Sequence, residues 1–155
     1  MSDDRIHVKI KGVVPTPGGS GVFLESGEKT MSIFVDPMAT RALSLALEGE
    51  MAPRPLTHDL LISVLGGLGV QLLEVYIHDF QDETYFARLR MKQENELGRN
   101  LLEIDARPSD GMILATQLDV PITVAKQVWD QTEDMSWALQ QMDPPEDMGP
   151  GLSGT

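Results

Sequence analysis

Two short stretches of this chain gather side chains able to bind an oxyanion and to move a proton. They are Pro53-Arg54-Pro55-Leu56-Thr57-His58-Asp59 and Asp105-Ala106-Arg107-Pro108-Ser109-Asp110. A guanidinium presents a planar fork of donors that matches a phosphate, which makes Arg54 and Arg107 candidate phosphate-binding residues. Thr57 and Ser109 stand where helices are expected to start, and the free backbone N–H groups there attract anions. Asp59, Asp105 and Asp110 can orient a water or hold a hard divalent cation, whose identity the sequence leaves open. His58 can act as general acid or base. Together these are the parts that attack at a phosphoryl centre requires: an activated nucleophile, charge stabilisation and help for the leaving oxygen. His58, Asp59, Asp105 and Asp110 are therefore the catalytic candidates. Each has a structural use as well. Asp59 and Asp110 suit the first turn of a helix, Asp105 suits a cap, Arg–Asp pairs lock turns, and a histidine at a helix start can simply pack. The chemical reading thus requires that both stretches face one solvent-reachable hollow.

The elements that must position them follow from periodicity and turn residues. Ile6, Val8 and Ile10 alternate with His7, Lys9 and Lys11, which predicts a half-buried strand. Pro15 to Gly21 is turn chemistry, followed by strands over Val22–Glu25 and Met31–Val35. Asp36-Pro37 opens a helix that stops near Gly49. Thr57 is expected to cap a second helix, with Leu60, Leu61, Val64, Leu65 and Leu68 as its apolar stripe and Gly66-Gly67 as its stop. Leu72–Asp79 is a strand with Leu73, Val75 and Ile77 on one face. A turn at Gln81-Asp82-Glu83 pairs it with Thr84–Lys92, where Tyr85, Ala87, Leu89 and Met91 face one way and Phe86, Arg88, Arg90 and Lys92 the other. Leu101–Asp105 is a strand, Arg107-Pro108-Ser109-Asp110 opens a helix to about Leu118, and Pro121–Val124 is a last strand. One final helix is expected over roughly Ala125–Gln141, with Trp129 and Trp137 on one face.

The chain also repeats itself. Val35-Asp36 followed by Ala42–Ala46 parallels Ile104-Asp105 followed by Gly111–Ala115, at a constant shift of 69 residues. The expected fold is therefore α+β: duplicated strand-strand-strand-helix units forming a mixed or antiparallel sheet packed with helices. The expected organisation is one domain over residues 1–128, a C-terminal helix over 129–142, and an acidic Pro/Gly tail over 143–155 that is disordered.

Composition bounds the function. Hydrophobic residues are 41% and aromatics 5%, so the core is aliphatic. The absence of cysteine excludes disulfides, thiolate metal sites and cysteine nucleophiles. The charged start MSDDRIHVKI lacks a secretory apolar stretch, and Leu60–Val70 is too short for a membrane span, so a cytoplasmic protein without a membrane partner is expected. The net charge of −12 opposes a nucleic-acid partner. Part of it is local. Six of the 24 acidic residues lie at or beyond Asp130, which leaves 18 against 12 basic ones before it, a net of −6. Arg88, Arg90 and Lys92 share one strand face, and His7, Lys9 and Lys11 another. If those strands are neighbours they form a basic strip; otherwise they are ordinary solvated faces.

Taken in order, the stretch Pro53 to Leu61 and the stretch Ile104 to Gly111, continuing through Leu114-Ala115 to Val120-Pro121-Ile122, resemble the bifunctional nuclease family over about residues 5–128. The resemblance implies a compact, self-associating α+β domain, a dimer being favoured, with nuclease activity on DNA and RNA. That activity is attributed chiefly to plant members, whose additional C-terminal module the acidic tail here does not resemble. The family favours Ala where this chain has Gly111, a difference that touches packing more than chemistry. The resemblance supplies no catalytic set. The competing reading is a non-catalytic binding or regulatory module that presents the Arg-Pro surface to a protein partner or a small anion.

Overall fold

The computed structural model describes residues 4–142. Its seven strands are β1 (Arg5–Thr16), β2 (Gly19–Ser26), β3 (Lys29–Val35), β4 (Val70–Gln81), β5 (Thr84–Asn95), β6 (Gly98–Ala106) and β7 (Ile122–Ala125). Its helices are α1 (Pro37–Glu48), α2 (Thr57–Gly67), α3 (Pro108–Leu118), α4 (Lys126–Gln131) and α5 (Ser136–Met142). The strands form one mixed sheet in the order β3-β2-β1-β7-β4-β5-β6. Two antiparallel meanders, β1-β2-β3 and β4-β5-β6, flank β7, which runs antiparallel to β1 and parallel to β4. Each meander feeds a helix, α1 or α3, so the strand-strand-strand-helix repeat expected from the sequence is the plan of the sheet.

Local chemistry explains the junctions. Pro17-Gly18 closes β1 onto β2, with Gly18 at φ +83°. Asp82 and Glu83 both take positive φ in the two-residue turn between β4 and β5, a turn whose twist matches that of the strands. Asp36 caps α1 by accepting the Ala39 N–H at 2.8 Å, Pro37 occupies the first helical position, and Gly49 ends the helix at φ +68°.

The core lies between the sheet and the α1–α3 layer. Leu24, Met31, Leu43, Ile77, Met112, Ile113 and Leu114 are fully buried there. Gly111 lets α3 come close to β4. A Cβ at that position would sit 2.5 Å from Val75 Cγ1.

Four expectations are corrected. The core-facing residue early in β4 is Leu72, because an irregularity in pairing between Leu72 and Glu74 leaves Leu73 half-buried. Leu56, not Thr57, is the N-cap of α2, and Thr57 is its first helical residue. Of the stripe read along α2 only Leu65 packs against the core, joined there by Ile62, whereas Leu60, Leu61, Val64 and Leu68 are exposed. The single final helix is two. Thr132 turns its hydroxyl onto the Trp129 carbonyl, and the Asp134 carboxylate accepts N–H groups from Thr30 and Ser136. That capping restarts the chain as α5, so Trp129 is buried while Trp137 is half exposed. The disorder expected for residues 143–155 lies outside the described residues.

Candidate functional site

The two sequence stretches meet at the helix starts. The Asp110 carboxylate, in the first turn of α3, receives Arg107 Nε on Oδ2 at 3.2 Å. Its Oδ1 lies 2.8 Å from Nε2 of His58, in the first turn of α2. Arg107 extends further, with Nη1 lying 3.5 Å from Asp36 Oδ2 at the cap of α1. A single line of side chains, Asp36–Arg107–Asp110–His58, therefore joins the N-termini of three helices. Asp59 supports it from beside: Oδ2 accepts the Leu56 N–H at 2.8 Å and Oδ1 accepts Gln117 Nε2 at 2.8 Å, which ties α2 to α3.

Burial works to raise the pKa of Asp110, but the hydrogen bonds from His58 and Arg107 outweigh it and hold the carboxyl below its usual range. Asp110 in turn pushes the Arg107 guanidinium still higher, so that it stays charged. With Nε2 engaged by Asp110, Nδ1 of His58 is the ring nitrogen left for other chemistry. α3 differs from α1 in its start. Arg107 occupies the N-cap but supplies no side-chain acceptor, so the first N–H groups of α3 have no cap. Beside this start opens a cleft of about 390 Å³, lined by Val35, Asp36, Glu83, Tyr85, Arg107 and Ser109.

The remaining candidates stand apart. Arg54 is exposed on the loop before α2 and makes no ion pair or hydrogen bond to a described residue. Thr57 is exposed at the first position of α2, and Ser109 is half-buried on the wall of the cleft. Asp105 lies opposite Arg88 in the β5–β6 register, on the face of the sheet turned away from the helices, and does not join the line. Nor is it the cap of α3, because Pro108 fixes the first turn beyond Arg107. Among the described residues no group of three or more His, Asp or Glu is arranged to hold a metal ion. Asp36 and Asp59 are spent on backbone N–H groups and Asp110 on His58 and Arg107, so the residues do not form a cage for the divalent cation that the sequence left open.

Asp36 was legible only as a cap. Its second role could have been found by aligning the prolines rather than the aspartates. Asp36-Pro37 and Arg107-Pro108 are equivalent at a shift of 71 residues, which sets Arg107 where Asp36 sits in the first repeat.

The basic strip does not form. β7 and β4 lie between β1 and β5. Arg88 and Arg90 are matched by carboxylates on the same face, with Arg90 Nη1 2.9 Å from Glu74 and Arg88 Nη1 3.5 Å from Glu103. Among the described residues no helix is long and apolar enough to cross a membrane.

A family model described as the bifunctional nuclease domain matches residues 22–136. Two proteins from different strains of Mycobacterium tuberculosis, both described as uncharacterized, are each 33% identical to the chain over 126 residues, covering 79% of it and 73% of their own length.

Proposed function

We propose a nuclease function for this chain, which belongs to the bifunctional nuclease domain family. In this reading a phosphodiester of DNA or RNA lies at the start of α3, in the cleft beside Arg107. The uncapped N–H groups of α3 and the Ser109 hydroxyl receive a phosphoryl oxygen, and Arg107 stabilises the charge that builds there during attack. Asp110 orients His58, which takes the proton from an attacking water through Nδ1 as the water oxygen bonds to phosphorus, while the P–O bond to the leaving nucleotide breaks and the departing oxygen takes a proton from solvent. Arg54 and Thr57, exposed on the approach to α2, add contacts to neighbouring phosphates. Asp59 positions α2 against α3. Asp105, on the opposite face, takes no part in the step, and no step runs through a metal. The proposed setting is the cytoplasm.

The observation that carries this reading is the convergence on Asp110. Its two oxygens hold His58 and Arg107, one from each stretch, 52 and 3 residues away in sequence. The test is cleavage of plasmid DNA and of single-stranded RNA by protein purified to a single folded species, with Arg107→Ala, Asp110→Asn and His58→Gln beside it. Each substitution should lower the rate by roughly a hundredfold or more while the circular dichroism spectrum is retained. Cleavage that separates from the protein peak, or that all three variants preserve, sinks the proposal.

One observation favours the second reading, a binding module without turnover. Arg107 is shared between two carboxylates in a chain of net charge −12, which weakens its pull on a polyanion. A binding module would retain a small anion at α3 and release no product at any enzyme concentration. A nuclease would show binding that weakens steeply with salt, together with turnover.

A further inference from the structure

We infer that the cleft beside Arg107 takes an unpaired base stacked on the ring of Phe34, so that the nucleic acid bound at this site is single-stranded. This deepens the nuclease reading and rests on it for the class of ligand. Phe34 belongs to β3, an edge strand of the sheet. Its neighbours Ile33 and Val35 are buried, whereas Phe34 alternates outward and is 62% exposed. A lone exposed apolar side chain needs no explanation. Phe34, however, lines the same cleft as Arg107 and Ser109. The ring also has a seat. A Cβ on Gly19 would lie 2.7 Å from Cζ of Phe34 and 2.1 Å from the Val35 carbonyl oxygen. Gly19 does not take a positive φ, so close approach is what its missing side chain serves. The tip of the ring thus rests against the backbone of β2. Across the cleft stand Glu83, Thr84 and Tyr85 of the β4–β5 hairpin, and the Tyr85 ring is fixed there by Phe80, 4.3 Å away between centroids.

The chemistry of these walls selects the ligand. Every base offers a π-face that stacks on an aromatic ring, whatever the sequence. In a duplex both faces of each base are already covered by its neighbours, so only an unpaired base can lie on Phe34. The phosphate of that nucleotide then reaches Arg107 and Ser109 in the same hollow. The two ends of the hollow are close: Asp36, two positions beyond Phe34, lies 3.5 Å from Arg107 Nη1. The cleft measures about 390 Å³, at the small end of ligand sites, which run to roughly 300–1,000 Å³, and suits one nucleotide. Charge points the same way. The carboxylates of Asp36 and Glu83 line this cleft and repel a run of phosphates, but they can accept from the amino group of a base. A flat, uncharged ligand group therefore fits the Phe34 end, and the anion fits the Arg107 end.

The experiment measures binding to the full chain by fluorescence anisotropy at one salt concentration. The probes are a short mixed-sequence DNA strand, the duplex of that strand, and a strand of equal length in which every base is replaced by an abasic site. Phosphorothioate linkages keep the charge of all three and slow their cleavage. Wild type should bind the plain strand roughly tenfold tighter than either control. Phe34→Leu keeps an apolar side chain without a π-face, and should bind the plain strand as weakly as the abasic one. Phe34→Trp should retain the preference. A 2-aminopurine within the strand gives a direct reading, because stacking quenches its fluorescence: wild type should quench it and Phe34→Leu should not. A plain strand bound no tighter than the duplex or the abasic strand, a Phe34→Leu chain that matches wild type, or an unquenched 2-aminopurine each overturns the inference. Where Arg107→Ala weakens all three probes in that case, the phosphate site survives and the nuclease reading stands without the base site. A wild type that binds none of the probes overturns both.

Discussion

Asp110 is the residue on which the site closes, and its electrostatics make a prediction independent of any activity. Its pKa in the folded protein is held below the ordinary value by His58 and Arg107, against the opposing effect of burial. A depressed carboxyl stabilises the fold above its unfolded pKa of about 4, and that stabilisation disappears as pH falls through the folded value. Stability should therefore decline in acid below about pH 4. Asp110→Asn should have a shallower acid limb than wild type, measured as urea midpoints across that range. An unchanged slope would mean that the carboxylate is not held by His58 and Arg107. The residue scale is also where chemistry and structure compete. Arg107 must neutralise Asp36 and Asp110 and still meet a ligand, which its high exposure permits.

At the scale of elements, the decisive contact is α3 on β4. Helix propensity alone would make Gly111→Ala stabilising by roughly 0.5–1 kcal/mol. The structure reverses the sign. The added Cβ would lie 2.5 Å from Cγ1 of Val75, a buried, branched side chain in the middle of β4. Overpacking of this kind costs about 1–3 kcal/mol, so the net expectation is a loss of about 1 kcal/mol in denaturant unfolding. The same substitution made on Val75→Ala should lose less than it does on wild type, because the clash is gone. Additive behaviour of the pair would refute the contact. Since α3 also carries Arg107, Ser109 and Asp110, this packing sets how far the site stands from the cap of α1.

On the scale of the whole molecule, Glu74 links the two repeats. It accepts Arg5 Nη1 from β1 at 2.6 Å, Arg90 Nη1 from β5 at 2.9 Å, and the Thr123 hydroxyl from β7. Arg5 also lies over the Tyr76 ring, 3.9 Å from its centroid. Burial works against the Glu74 charge, but these hydrogen bonds outweigh it and keep the pKa low. Its side chain is only 13% exposed, so removing the charge leaves two guanidinium groups facing each other in a sheltered place. Glu74→Gln should cost about 2–3 kcal/mol. It should do so in one cooperative unfolding transition, because the carboxylate spans both meanders through β7. A loss under about 0.5 kcal/mol would show that the network contributes little.

What the sequence determined by itself was local, together with the repeat. Alternating side chains located the strands, Asp36-Pro37 and Arg107-Pro108 set the helix starts, and the shifted match between halves predicted two meanders each followed by a helix. These are readable because capping, turn preference and periodicity act over a few residues. The failures share a cause as well. Leu72 replaces Leu73 because the β4–β5 pairing is irregular there, a fact that belongs to two strands. The last helix breaks because Asp134 finds the Thr30 N–H, 104 residues away. The basic strip is lost because strand order, not strand content, decides neighbours. The candidate site divides along the same line. The sequence supplied Arg107, Asp110 and His58 as residue types, but only the packing of α2 against α3 brought them together, and only sheet alternation sent Asp105 to the other face.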